Sequence, residues 1–294
     1  MPAVTTITDP AGTAWILDGS GGIWEGNGKK GFHAPTYQHY RDESPTIAGA
    51  FWRGVRAIPR ELFLPIVIRD TNRDGLLAKR RALIRAISPI KGECTIQSAW
   101  PDGSTRSIMC RYVDGMDAGE QGPGEYGITV MRYGLRFIAD DPYMFGPTIN
   151  QIWSLTAPTR TELPMPGADT FYEVVTSPLL AAGSLITNDG DVDTYPSWSF
   201  VGPFTMVTVA NATSGESFTI TYTAASPTDI IYVVTNPGGS YVVDQTGTNR
   251  WDTLTAGYSL WPLKSGDNTV NVTLVGATVA SSATLSFAPS YEGD

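Results

Sequence analysis

From Tyr195 to Phe287 the chain repeats one pattern: a short run of alternating apolar and polar residues, then a cluster of turn residues. A period of two buries one face of a strand and leaves the other in water, and no helix tolerates it. Phe218, Ile220 and Tyr222 alternate with Thr and Ser, and Val270, Val272 and Leu274 alternate with Thr and Asn. The segments expected as strands are Tyr195–Val201, Phe204–Ala210, Ser217–Thr223, Ile230–Thr235, Ser240–Asp244, Tyr258–Trp261, Asn268–Leu274 and Ala283–Phe287. Turn clusters at Asn211–Gly215, Asn236–Gly239 and Lys264–Asn268 separate them. A spacing of roughly 8–12 residues predicts an all-β, jelly-roll-like sandwich.

The first 140 residues mix strands with one helix. Thr13–Asp18 and Ile23–Glu25 read as strands around Gly19–Gly22, and Arg53–Ile58 and Glu61–Arg69 follow as two more. Pro65 cannot donate to a ladder, so its strand is expected at an edge or with a bulge. Between Asn72 and Ser88 the period becomes helical, with Asn72 or Asp74 as cap and Pro89 as stop. Leu76, Leu77, Leu83, Ile84 and Ile87 share one arc of this helix, and Arg80 falls near its middle. Arg80 is read first as a snorkelling stem or a buried ion pair, and second as a subunit contact. Cys94–Trp100 and Thr105–Val113 flank a turn at Pro101–Ser104. A two-residue turn would pair residue 94 with 111, and a three-residue loop would pair Cys94 with Cys110. Two free buried thiols are the preferred reading. The Gly-rich stretch Gly119–Gly124 leads to a strand from Tyr126 to Ala139, and residues 146–188 read as trailing strands and a connector.

The formal net charge is −9, unevenly divided: 17 basic and 15 acidic residues in 1–140, against 3 and 14 in 141–294. With three basic residues, the second part lacks the cationic footprint of a duplex-binding surface. The longest apolar run, Phe63–Ile68, is too short to span a bilayer. The opening residues have no basic region and no apolar stretch, so a Sec-type signal is not expected.

Catalytic signatures are missing. His33 and His39 lie in an apparent loop before Tyr40, away from any Gly-x-Ser-x-Gly elbow, and their spacing matches no metal motif. Asn188-Asp-Gly-Asp-Val-Asp193 has the acidic alternation of a calcium loop, but Thr194 stands where the glycine is needed and Phe200 where the glutamate is needed. A turn is the better reading. Gly19–Gly22 and Gly119–Gly124 have no Lys-Ser/Thr and no helix start, so neither is a phosphate loop. No catalytic, metal or cofactor-binding residue is assigned, and no cofactor is expected. Trp251 and Trp261 are candidate stacking platforms for a sugar ring, weighed against core filling.

The order of features resembles the distal tail proteins of long-tailed bacteriophages. The resemblance rests on Tyr40-Arg-Asp42, the Gly54–Ile68 strand pair, the basic helix ending at Ser88-Pro89, Cys94–Trp100, Pro101-Asp-Gly103, Arg106–Tyr112 and Phe137–Tyr143. It continues through Asn188–Asp191, Tyr195-Pro196, Gly202, Asn211, Gly215, Leu263–Asn268 and Ala288–Tyr291. It implies a mainly β fold: an N-terminal β-barrel-like, ring-forming domain with one helix over 1–187, then a galectin-like sandwich over 188–294. It further implies a non-enzymatic minor tail protein at the distal end of the virion tail, assembled in the host bacterial cytoplasm. Its expected partners are itself, as a homohexameric ring, the tail tube protein, and tail hub, baseplate or fibre proteins. Neither specific nucleic-acid binding nor membrane insertion is expected. The histidine-containing ligand motif of sugar-binding galectins has no counterpart after His39, so sugar binding does not follow from the fold. A carbohydrate-binding accessory module on a tail or cell-surface assembly is the alternative.

Overall fold

The computed structural model describes residues 3–117, 129–155 and 179–293. Two compact units emerge, one formed by 1–147 with 290–294, the other by 148–289.

The first unit contains β1 (Val4–Thr8), β2 (Ala14–Ile16), β3 (Ile23–Glu25), β4 (Tyr37–Ser44), β5 (Ile47–Ala57) and β6 (Arg60–Arg69). Helix α1 (Arg73–Ala86) follows, then β7 (Cys94–Ala99), β8 (Thr105–Asp114), β9 (Val130–Ala139) and β10 (Met144–Phe145). One sheet runs β2-β1-β7-β8-β9-β6-β3. Its two edges belong to one hairpin: Asp18 bridges Trp24, and the Glu25 amide donates to the Leu17 carbonyl. The sheet is thereby drawn into a nearly closed barrel. Along β6, Leu62, Leu64, Ile66 and Ile68 point inward and are fully buried, where they meet Leu135 and Phe137 of β9 and Ile96 and Ile108 of the β7–β8 pair. Each such side chain stabilises the fold by about 1.5–3 kcal/mol. Helix α1 adds Leu76, Leu83 and Ile87 to this core. The Asn72 side chain accepts from the Gly75 amide at 2.8 Å, so of the two expected caps Asn72 is the actual one, and Asp74 lies in the first turn.

Pro65 is not at an edge. Strand β6 pairs without a register shift along all of β9, from Arg60↔Ala139 to Arg69↔Val130, and β3 lies on its other side. The Gly26 amide donates to the Pro65 carbonyl, so the proline nitrogen also faces the β3 side, where β3 has just ended at Glu25. The missing donor costs the β9 ladder nothing. Cys94 pairs directly with Cys110, as a three-residue loop requires, and both thiols are free and buried. Burial pushes the Cys94 thiol up to about 11 and the Cys110 thiol higher still, which makes both poor nucleophiles.

The second unit contains β11 (Ile149–Ser154), β12 (Leu179–Asn188), β13 (Ser197–Val201), β14 (Phe204–Asn211) and β15 (Glu216–Ala224). It continues with β16 (Ile230–Val234), β17 (Tyr241–Asp244), β18 (Gly266–Val275) and β19 (Ser282–Phe287). Two antiparallel sheets, β11-β19-β13-β16-β17 and β12-β18-β14-β15, form a sandwich. Trp198 is the hub of its core, with its ring centroid within 6.0 Å of those of Trp153, Phe200 and Trp261.

Two expectations are corrected here. The division between the units falls at 147/148 and not at 187/188, because β11 pairs with β19 and β12 with β18, which places both strands in the sandwich. The chain then returns to the first unit, where β20 (Ser290–Tyr291) pairs with β10. Tyr258–Trp261 is not a strand: it is irregular chain, tied at the Ser259 amide to the Ser217 carbonyl. The Gly119–Gly124 stretch lies outside the described residues.

Candidate assembly surface

The longest stretch of exposed secondary structure is the β4–β5 hairpin. Among the described residues its strands pair only with each other, from Tyr37↔Ala57 to Ser44↔Ile47. Phe51 is 56%, Trp52 63%, Val55 46% and Tyr40 44% exposed. The register puts Val55 and Trp52 on one face with His39 and Arg41, and Phe51 on the other with Tyr40 and Asp42. Both faces of the ribbon thus carry aromatic side chains that the protomer leaves in water. An isolated two-stranded hairpin is marginal in water, and exposed apolar groups on such a ribbon are characteristic of a surface completed by a partner. Within the hairpin, Arg53 Nε donates to Asp42 Oδ2 at 2.5 Å, an exposed pair worth ~0–1 kcal/mol.

The base of the hairpin is held differently. Arg60, 2% exposed, donates from Nη2 to the Glu292 carbonyl at 2.5 Å and from Nη1 to the Gly31 carbonyl at 3.4 Å. The Tyr37 hydroxyl donates to Glu292 Oε1 at 2.5 Å, which pushes the phenol up to about 12. At this end of the ribbon the geometry is fixed.

The residues singled out from sequence do not gather into a site. Trp261 is 1% exposed, packed edge-on against Trp198, so it has no face to offer a sugar. Trp251 is half-buried on the same core and meets Tyr258 edge-on at 5.8 Å between centroids. Arg80 turns inward: its guanidinium lies 5.7 Å from the Tyr133 ring centroid, and Nη2 reaches the Met116 carbonyl at 3.5 Å. His39 lies on β4, not in a loop, and His33 precedes the hairpin.

The acidic stretch 188–193 is a pinned turn. The buried Asn188 donates to the Val192 and Leu263 carbonyls and accepts from the Gly190 amide, while Lys264 Nζ pairs with Asp193 at 2.7 Å. Asn268, fully buried, closes the turn at 264–268 on itself and accepts from Asn211 Nδ2 at 3.1 Å. Asn188, Asn211 and Leu263–Asn268, all part of the family resemblance, therefore converge on one polar knot of the sandwich. Among the described residues no group of three or more His, Cys, Asp or Glu could hold a metal ion, and no helix is long and apolar enough to cross a membrane.

Two shallow grooves are lined wholly by described residues. One, of about 550 Å³, runs over Phe63, Pro65 and Gly134 beside Arg132. The other, of about 330 Å³, lies on the five-stranded sheet, and its lining of Ser197, Ser199, Tyr232, Tyr241, Thr284 and neighbouring residues carries no charge.

No family model matches the sequence, and no curated protein matches it. Solved structures do. The SPP1 Dit (gp 19.1) protein, described as a paradigm of the hub adsorption apparatus in Gram-positive infecting phages, superposes with a TM-score of 0.66 at 14% identity, over 98% of this chain and 99% of that one. The chain has the distal-tail fold. A chain of the phage P2 baseplate in its activated conformation with Ca gives a TM-score of 0.56 at 10% identity, covering 97% of this chain and 98% of the other. The same baseplate with Sr gives 0.52 at 11%. The match spans both units, so barrel and sandwich together make up the distal-tail fold. The mainly β architecture with one helix accords with the sequence expectation. The sequence expectation puts His33 and His39 in a loop before Tyr40 and has no strand over Tyr37–Ser44, although Ser44-Pro45-Thr46 is a turn signal between two runs that carry Tyr, Phe, Trp and Val.

Proposed function

We propose that this chain is a structural subunit of a phage tail tip, a non-enzymatic adaptor that forms a homohexameric ring between the tail tube protein and hub, baseplate or fibre proteins. It would be assembled in the host cytoplasm and carried at the distal end of the virion tail. One observation carries the reading: a chain with the distal-tail fold over nearly its whole length projects a hairpin whose aromatic residues, Phe51, Trp52 and Tyr40, are unburied in the protomer. A closed ring needs heterologous contacts, in which each copy offers one patch and receives a different one. A projecting ribbon with two apolar faces is suited to the offering role. Light scattering and negative-stain imaging of the purified chain, alone and with tube protein, test this. Six-fold mass and rings are expected, and a strict monomer at high concentration under both conditions overturns it.

The carbohydrate reading has a different locus from the one the sequence suggested. With Trp261 in the core, the uncharged groove flanked by Tyr232 and Tyr241 is the better match to a neutral sugar. Glycan-array binding lost in Tyr232→Ala and Tyr241→Ala but kept in Trp251→Ala would establish it.

A further inference from the structure

The hairpin is exposed along its length, yet its base is gripped by a segment far away in sequence. Ser290 and Tyr291 pair with Phe145 and Met144, and the Arg106 guanidinium lies 3.4 Å from the Tyr291 ring centroid, which fixes the segment to the barrel. The next residue, Glu292, bonds the chain at both ends of the hairpin: its carboxylate takes the Tyr37 hydroxyl on the incoming leg, and its carbonyl takes Arg60, the first residue of β6, just after the outgoing leg ends. At Gly293 a Cβ would stand 1.8 Å from the His33 carbonyl oxygen, so only glycine allows the segment to lie this close to the chain entering β4. We propose that Ser290–Gly293 is a clamp that sets the direction of the β4–β5 hairpin, with Glu292 as the positioning residue.

The physical case is one of leverage. A two-stranded ribbon has little stiffness at its root unless both legs are tied to the same body. Here the ties are hydrogen bonds to a carboxylate and from a guanidinium, the stronger class, and Arg60 makes its bonds almost wholly out of water. The chain enters the sandwich just after β10 and leaves it just before β20, so the strand pair that anchors the clamp also closes the loop of chain bearing the sandwich. The use of the clamp, presenting the hairpin in one orientation to a neighbouring copy, rests on the assembly reading above. The clamp itself rests only on the contacts within the first unit.

Hydrogen exchange on the full-length chain, at a concentration below assembly, tests it. Tyr37→Phe and Gly293→Ala are expected to speed exchange at the hairpin base, residues 36–41 and 54–58, by about tenfold, with β7 and β8 unchanged. Tyr40→Phe, whose hydroxyl donates to Gln38 Oε1 within the ribbon and not to the clamp, serves as control and is expected to change nothing at the base. Unaltered exchange in both variants overturns the clamp, whatever the wild-type mass. Faster exchange in both supports it. If the wild-type chain is nevertheless a monomer at every concentration, the assembly reading fails and the clamp stands.

Discussion

Two hairpins of similar length show what decides the fate of a β ribbon in this molecule. In β14–β15, Val207, Val209, Phe218 and Ile220 are buried to 1% exposure or less, because the opposing sheet covers their face, while β18 continues the ladder beside β14. In β4–β5, Phe51, Trp52 and Val55 occupy comparable positions, and none is covered. The residue types are alike, and only the surroundings differ. Aromatic content therefore does not distinguish a covered strand from an uncovered one. What distinguishes them is whether the chain itself supplies the second layer.

The strongest way to break this comparison is to empty the covered side. Trp198→Ala is expected to destabilise the sandwich by about 3–5 kcal/mol, seen as a lower denaturation midpoint. Next comes the uncovered side: Trp52→Ala should change protomer stability by less than about 0.5 kcal/mol. If Trp52 is an anchor of the assembly, the same change should cost ~2 kcal/mol or more per contact and abolish the high-mass species in light scattering. Equal effects of Trp52→Ala on folding and on assembly would erase the distinction.

Smaller effects sharpen it. Asn268→Ala removes a fully buried amide that closes a turn and should cost about 1–3 kcal/mol in the sandwich, while Asn72→Ala should cost ~1 kcal/mol at the start of α1. Asp244 is held at about 2, below its usual 3.8, by hydrogen bonds from Thr246 and the Arg250 side chain, desolvation acting against them. A depressed carboxylate stabilises the fold above its unfolded value and loses that contribution as pH falls through the folded one. Acid titration followed by fluorescence should show sandwich stability declining between pH 4 and 2, and Asp244→Asn should flatten the decline. An unchanged slope in the variant would mean that the Asp244 network is not the titrating element.

Much of the protein was legible before its structure. Segments whose identity depends on near neighbours were read well: α1 with its Asn72 cap, the β7–β8 hairpin, most strands of the sandwich, and the Asn188–Asp193 turn. The failures share a cause. Tyr258–Trp261 has strand-like composition and lies along the open edge of β15, but only isolated backbone bonds, such as that from the Ser259 amide to the Ser217 carbonyl, reach that edge, and they do not make a ladder. Residues 146–188 read as trailing strands of the first domain and a connector because the partners of β11 and β12, which are β19 and β18, lie far along the chain, as in Ile149↔Phe287 and Asn188↔Gly266. Trp261 and Trp52 are indistinguishable as residues, yet one is 1% and the other 63% exposed.

The sequence by itself determined where the helix and most of the strands form, that the two parts differ in charge, and that no recognisable catalytic motif is present. Alternation, caps and turn residues act over a few positions, so they are written locally. The tertiary structure decided which strands are neighbours, that the sandwich interrupts the barrel unit between β10 and β20, and that Pro65 sits inside a sheet. It also decided that one aromatic ribbon is left uncovered while a distant segment grips its base. Those outcomes depend on what lies across a sheet or against a face, and a local pattern can specify that a face is apolar without specifying what will cover it.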